Sequence, residues 1–182
     1  MKVWQLGFTG VRNRVLPFFM IFLASISQST AEDIVSGGLG LSKQLWEAKQ
    51  GSPDLKCPSN LPYTCYEGGK YMVSYMNDHI WILEIYLHPL PYTFKNPGIS
   101  IEESRSLSKN FVPSDSRFIK TYKSQSGSNV DLYMSESLKS LEPSFSANTP
   151  GVWTGGEVGN FIVIHSGTDE VQLIIIATGN NP

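Results

Sequence analysis

The sequence predicts an α+β protein in which short helices cover an antiparallel sheet, and three observations carry that prediction. Apolar and aromatic runs of strand length come in pairs separated by short polar turns, such as Asn77-Asp78, and strands joined by tight turns must run antiparallel. Each group of such runs follows a stretch with an N-terminal capping signal, at Ser42 and at Ser100. With 41% apolar and 16% charged residues, the chain is not of disordered composition. Residues 32–182 are long enough to bury roughly 68% of the surface that their unfolded state exposes. They are expected to form a single domain.

The first 31 residues read as an export signal. Lys2, Arg12 and Arg14 are the only charges before Glu32, and they precede an apolar run over Val15–Ile26. That run suits a signal-peptide core and is short of the roughly 20 residues that a transmembrane helix needs. Ser29 and Ala31 supply the small side chains of a cleavage site after Ala31. An uncleaved anchor with a long basic flank is the alternative.

Residues 32–40 are Gly-rich and expected as a loose lead-in. Ser42 caps a helix through K-Q-L-W-E-A-K-Q that stops at Gly51, with Leu41 and Trp46 placed as a hydrophobic staple. Leu41, Leu45, Trp46 and Ala48 form its apolar side. Cys57 and Cys65 follow, eight residues apart; in an oxidising compartment they are expected to pair and pin a hairpin-like excursion. Strands are predicted at Lys70–Tyr75 and from His79 to Leu87, joined at Asn77-Asp78.

Pro89, Pro91 and Pro97 interrupt the chain and divide it into halves, approximately 40–88 and 99–177. The second half opens with an S-x-x-E capping box, Ser100 and Glu103, on a helix expected to reach Phe111. Strands are predicted at Phe118–Lys123 and Val130–Met134. A short helix at Ser135–Leu141 and a long linker containing Trp153 precede two last strands, Phe161–His165 and Val171–Ala177.

The stretch G-L-S-K-Q-L-W-E-A-K-Q-G-S-P-D, residues 40–54, followed by an aromatic strand and the Asn77-Asp78 turn, resembles the helix-then-hairpin unit of the small outer-membrane assembly lipoproteins. That unit occurs twice in the β-lactamase inhibitor protein type. The resemblance implies a two-layer fold, built here from two tandem helix-then-strands units, with a sheet or loop edge that holds a protein partner. This chain departs from it in having no lipidated Cys and in carrying an additional segment, Ser135–Gly159.

Without the leader, 11 Lys and Arg stand against 16 Asp and Glu, a net charge of −5. That sign, with no run of basic residues, argues against nucleic acid as a partner. His79, His88 and His165 show no metal-binding spacing, and no phosphate-binding glycine loop is present. His79 is read as a turn residue facing water and His88 as a surface residue. His165 has Ser166 and Asp169 close by in sequence, but no G-x-S-x-G elbow exists, and no nitrogen of His165 is expected to reach both a hydroxyl and a carboxylate. Glu102-Glu103 fits a helix N-terminus and Asp169-Glu170 a solvated turn. No catalytic, metal or cofactor residues are assigned.

The candidate interface is Tyr92 and Phe94 in the aromatic-proline run H-P-L-P-Y-T-F, with Trp153 among its glycines; a plug at the end of the core is the other role open to Trp153. The expected function is a secreted or periplasmic module that binds a protein or envelope component, without a transmembrane segment after cleavage. The alternatives are an extracytoplasmic hydrolase and a carrier of a small apolar ligand.

Overall fold

The structure is a computed structural model that describes residues 36–55, 57, 62–88, 97–146, 153, 155–167 and 169–180. Among these, seven strands form one antiparallel sheet: β1 Thr64–Tyr66, β2 Tyr71–Met76, β3 His79–Tyr86, β4 Arg117–Lys123, β5 Asn129–Met134, β6 Asn160–Ser166 and β7 Leu173–Thr178. Their spatial order is β1-β2-β3-β7-β6-β5-β4. Four short helices accompany them, α1 Lys43–Gln50, α2 Ile101–Ser108, α3 Glu136–Ser140 and α4 Glu142–Ser146. The predicted α+β class and antiparallel sheet therefore hold. The leader and its cleavage site lie outside the described residues.

Local chemistry sets the ends of these elements. Asn77 and Asp78 take φ of 45° and 63°, the left-handed pair that a two-residue hairpin turn needs and that short polar side chains tolerate. Ser42 Oγ accepts from Leu45 N–H at the start of α1. At α2 the capping box is complete: Glu103 N–H donates to Ser100 Oγ at 3.2 Å, and Ser100 N–H donates to Glu103 Oε2 at 2.9 Å.

Alternation along each strand sorts side chains between the two sides of the sheet. Phe161 and Val163 of β6 and Ile174 and Ile176 of β7 belong to the main core, whereas Ile162, Ile164 and Ala177 form a second cluster with Val130 and Leu132. The helices place Trp46, Leu138 and Phe145 in the main core, joined there by Leu141 between α3 and α4. Trp46 is wholly enclosed, with its ring edge-on to Tyr66 and Tyr71 at 6.0 and 5.5 Å.

Several expectations need correcting. Residues 36–40 are not loose: Leu39 is buried, its N–H donates to Phe111 O at 2.8 Å, and a Cβ on Gly37 would overlap the Asn110 carbonyl. Glycine serves close backbone approach there, not slack. Leu45 and Ala48 are exposed, so Trp46 alone buries α1. The second helix ends at Ser108, ahead of Phe111 and Pro113. Strand β1, inside the excursion pinned by the cystine, and helix α4, inside the expected linker, have no counterpart in the sequence-based prediction.

Candidate functional site

The most concentrated polar chemistry lies between α2 and the sheet. Ionisable residues occupy core-side positions of two largely apolar strands: His165 shares the side of Phe161 and Val163 on β6, and Asp131 lies opposite Val163 on β5. Helix α2 meets them with Ser104 and Arg105. Ser104 Oγ and His165 Nδ1 are 2.6 Å apart, and His165 Nε2 lies 3.3 Å from Asp131 Oδ2. Arg105 grips both Asp131 oxygens, through Nε to Oδ2 at 2.8 Å and an Nη to Oδ1 at 2.9 Å, and Thr121 of β4 adds its hydroxyl to Oδ1 at 2.5 Å. Despite its burial, the Asp131 carboxyl is held well below the ordinary carboxylate range, because His165, Arg105 and Thr121 all donate to its charged form.

This geometry overturns the expectation that His165 would not reach both a hydroxyl and a carboxylate. Its partners are Ser104 and Asp131, not the sequence neighbours Ser166 and Asp169. Two features make it a poor catalytic relay. Ser104, Asp131 and His165 are 0%, 1% and 1% exposed, so no substrate meets the hydroxyl. The nitrogens are interchanged relative to a serine-hydrolase relay, in which Nε2 faces the nucleophile and Nδ1 the acid. Asp131 can only accept, so in the neutral ring Nε2 carries the proton and Nδ1 accepts from Ser104. Every group is thereby satisfied and the helix is riveted to the sheet.

A second polar group lies on β3. Glu84 accepts from Tyr86 Oη at 2.6 Å, and burial pushes its carboxyl above the ordinary range. No second carboxylate or base is paired with it among the described residues, as acid–base catalysis would need.

The exposed chemistry is at β4. Phe118 and Ile119 are 58% and 49% exposed, and Arg117, Lys120 and Lys123 lie on the same strand. No basic cluster is expected from the sequence, yet these three cations, spaced three residues apart on one strand, lie along one sheet edge. Ile119 is the extra residue of a bulge, since Phe118 pairs with Tyr133 and Lys120 with Leu132. An open groove of about 870 Å³ runs beside it, lined by Ile119, Lys120, Leu132, Met134, Glu157 and Asn180 among others. Asn180 Oδ1 is shielded from solvent there without a hydrogen-bond partner among the described residues.

Of the residues singled out in the sequence, Cys57 and Cys65 form a disulfide. Tyr92 and Phe94 lie outside the described residues. Trp153 is half-buried on the main core, edge-on to Phe145 at 5.8 Å. His79 is half-buried, not solvent-facing: its Nδ1 meets Asn77 O at 2.9 Å and its ring packs against Phe145. His88 Nε2 lies 2.7 Å from Pro97 O. Glu102 and Glu103 open α2, and Glu170 accepts from Gly98 N–H at 2.6 Å. The described residues hold no group of three His, Cys, Asp or Glu placed to bind a metal, and no described helix is long and apolar enough to cross a membrane.

No family model and no curated protein matches the chain. Among solved structures it is similar to a cysteine-rich secretory protein from Staphylococcus aureus, at 15% identity and a TM-score of 0.34, over 81% of this chain and 45% of that one. The chain thus spans under half the length of that protein.

Proposed function

We propose that the chain is a secreted or periplasmic interaction module that binds a protein or envelope component. The observation that carries this reading is a contrast in exposure. The histidine, serine and aspartate that could do chemistry are sealed under α2, whereas Phe118 and Ile119 stand in solvent on an edge strand. Exposed aromatic and aliphatic side chains on a rigid element are typical anchors for a partner. The Cys57–Cys65 disulfide supports an oxidising compartment, and with it a leader over residues 1–31.

The reading includes a two-layer body of two tandem units, of the helix-plus-hairpin type described above. Two features support the repeat. All strands of the first half lie on one side of the β3–β7 seam and all of the second half on the other. In each half the residue at or just before the helix N-cap bridges to the start of the last hairpin strand or two residues ahead of it, Ser42 to His79 and Ile99 to Val171.

The test is retention of an envelope protein by the immobilised chain, compared with a Phe118→Ser/Ile119→Ser variant of unchanged melting temperature. A discrete protein held by the parent and released by the variant is expected; equal retention by both would contradict the assignment of the surface. The second reading is an extracytoplasmic hydrolase, for which the sealed Ser104–His165–Asp131 array supplies the residue types but no access. Ester turnover abolished by Ser104→Ala would establish it in place of the first.

A further inference from the structure

The two edges of the sheet are treated differently. Strand β1 is three residues long, its Cys65 is tied by the disulfide to Cys57, and the Cys65 carbonyl accepts from Asp54 N–H at 2.8 Å. Strand β4 is seven residues long, and all of them except Tyr122 are exposed. No backbone hydrogen bond of β4 to any described residue other than its β5 partner and the adjoining turn is present. One row of peptide groups is closed and the other is left open, which is the template that an added strand needs.

Charge decides what can occupy it. Strand β4 carries Arg117, Lys120 and Lys123 and no acid, in a mature sequence that is otherwise net acidic. Arg117 is shared with Glu136 at 3.4 Å, and Glu157 lies across the groove. Lys120 and Lys123 have no carboxylate partner among the described residues. Pairing β4 with β4 of a second copy would set these cations against one another, and like charges directly opposite are destabilising. Register places Lys120 on the same side as Leu132, facing the groove, and Lys123 on the other side, so both faces of an added strand would meet a cation.

We propose that β4 is the docking edge for an extended, acidic segment of a partner protein, which joins the sheet by antiparallel or parallel strand addition and sends apolar side chains toward Ile119, Leu132 and Met134. This rests on the reading of the chain as an interaction module and specifies its partner's chemistry. Lysines and a bulge also serve to blunt an edge; a merely blunted edge would take no strand at all, which the experiment below reads directly.

The probes are three fluorescein-labelled decapeptides, alternating Glu-Val, alternating Lys-Val and an alternating Glu-Val peptide N-methylated at every peptide nitrogen, titrated with the full chain by fluorescence anisotropy. The Glu-Val peptide is expected to bind, more weakly as salt is raised. The Lys-Val peptide should not bind, and neither should the N-methylated Glu-Val peptide, which keeps the charge but has no peptide N–H to give. Lys120→Glu/Lys123→Glu should weaken Glu-Val binding about tenfold or more and admit the Lys-Val peptide. Hydrogen exchange on the unmutated chain gives an independent readout: Glu-Val should protect amides of residues 117–123 and leave residues 64–66 unchanged. No Glu-Val binding, equal binding of the N-methylated peptide, or unaltered exchange in β4 would overturn the assignment. Such a failure, with partner retention by the immobilised chain intact, would remove the β4 edge and leave the interaction-module reading standing.

Discussion

Asp131 is the residue on which most of the buried polar chemistry converges, receiving hydrogen bonds from Arg105, Thr121 and His165. Its depressed pKa fixes the sign of a pH effect. The unfolded chain binds a proton at this site that the folded chain resists, so its stabilisation is whole above the ordinary carboxylate range. It is lost progressively as pH falls below about 4. Asp131→Asn is expected to cost about 2–3 kcal/mol at neutral pH and to flatten the acid limb, both read by urea unfolding across pH. Ser104→Ala, which leaves His165 Nδ1 buried without its partner, should cost about 1–3 kcal/mol and leave binding by the β4 edge unaffected. This network was not legible as such, because its members come from α2, β4, β5 and β6 and Ser104 lies 61 positions from His165. Its sequence neighbour Ser166 is no part of the network for a simple reason: adjacent strand residues face opposite sides of a sheet. The available signal was an ionisable residue in step with core positions, His165 with Phe161 and Val163.

At the scale of elements, cap chemistry and turn chemistry were the most legible part of the fold. Ser42, Ser100 with Glu103, and Asn77-Asp78 are local devices whose partners lie within a few residues, and the structure uses each of them. Ser100→Ala removes a side chain that satisfies an α2 amide and should lower stability by about 1 kcal/mol, measured by thermal unfolding. The cystine is equally local. Denatured, unreduced protein should show no free thiol on Ellman titration, and Cys57→Ser/Cys65→Ser should cost about 2–3 kcal/mol in the chain-entropy account. Strand β1 and helix α4 were illegible because each is so short that its pairing or packing, not its own sequence pattern, makes it regular. Pairing with β2 makes Thr64 and Cys65 of the cystine loop, with the following Tyr66, a strand, and Phe145 in the main core secures α4.

For the molecule as a whole, the order β1-β2-β3-β7-β6-β5-β4 places the two ends of the sheet in opposite conditions, one short and tied, the other long and exposed. The strand runs predicted antiparallel pairing but not which strands would be edges, since β3 meets β7 across most of the second half. For the same reason cations spaced three apart in the sequence gave no warning of a basic edge. An interaction surface is expected at that edge and none at β1. The most direct measurement is photo-cross-linking in the cells that make the protein, with a benzoylphenylalanine replacing Ile119 in one strain and Thr64 in another. A discrete protein adduct from position 119, absent from position 64, is the predicted result; adducts from neither position, or equally from both, would contradict it.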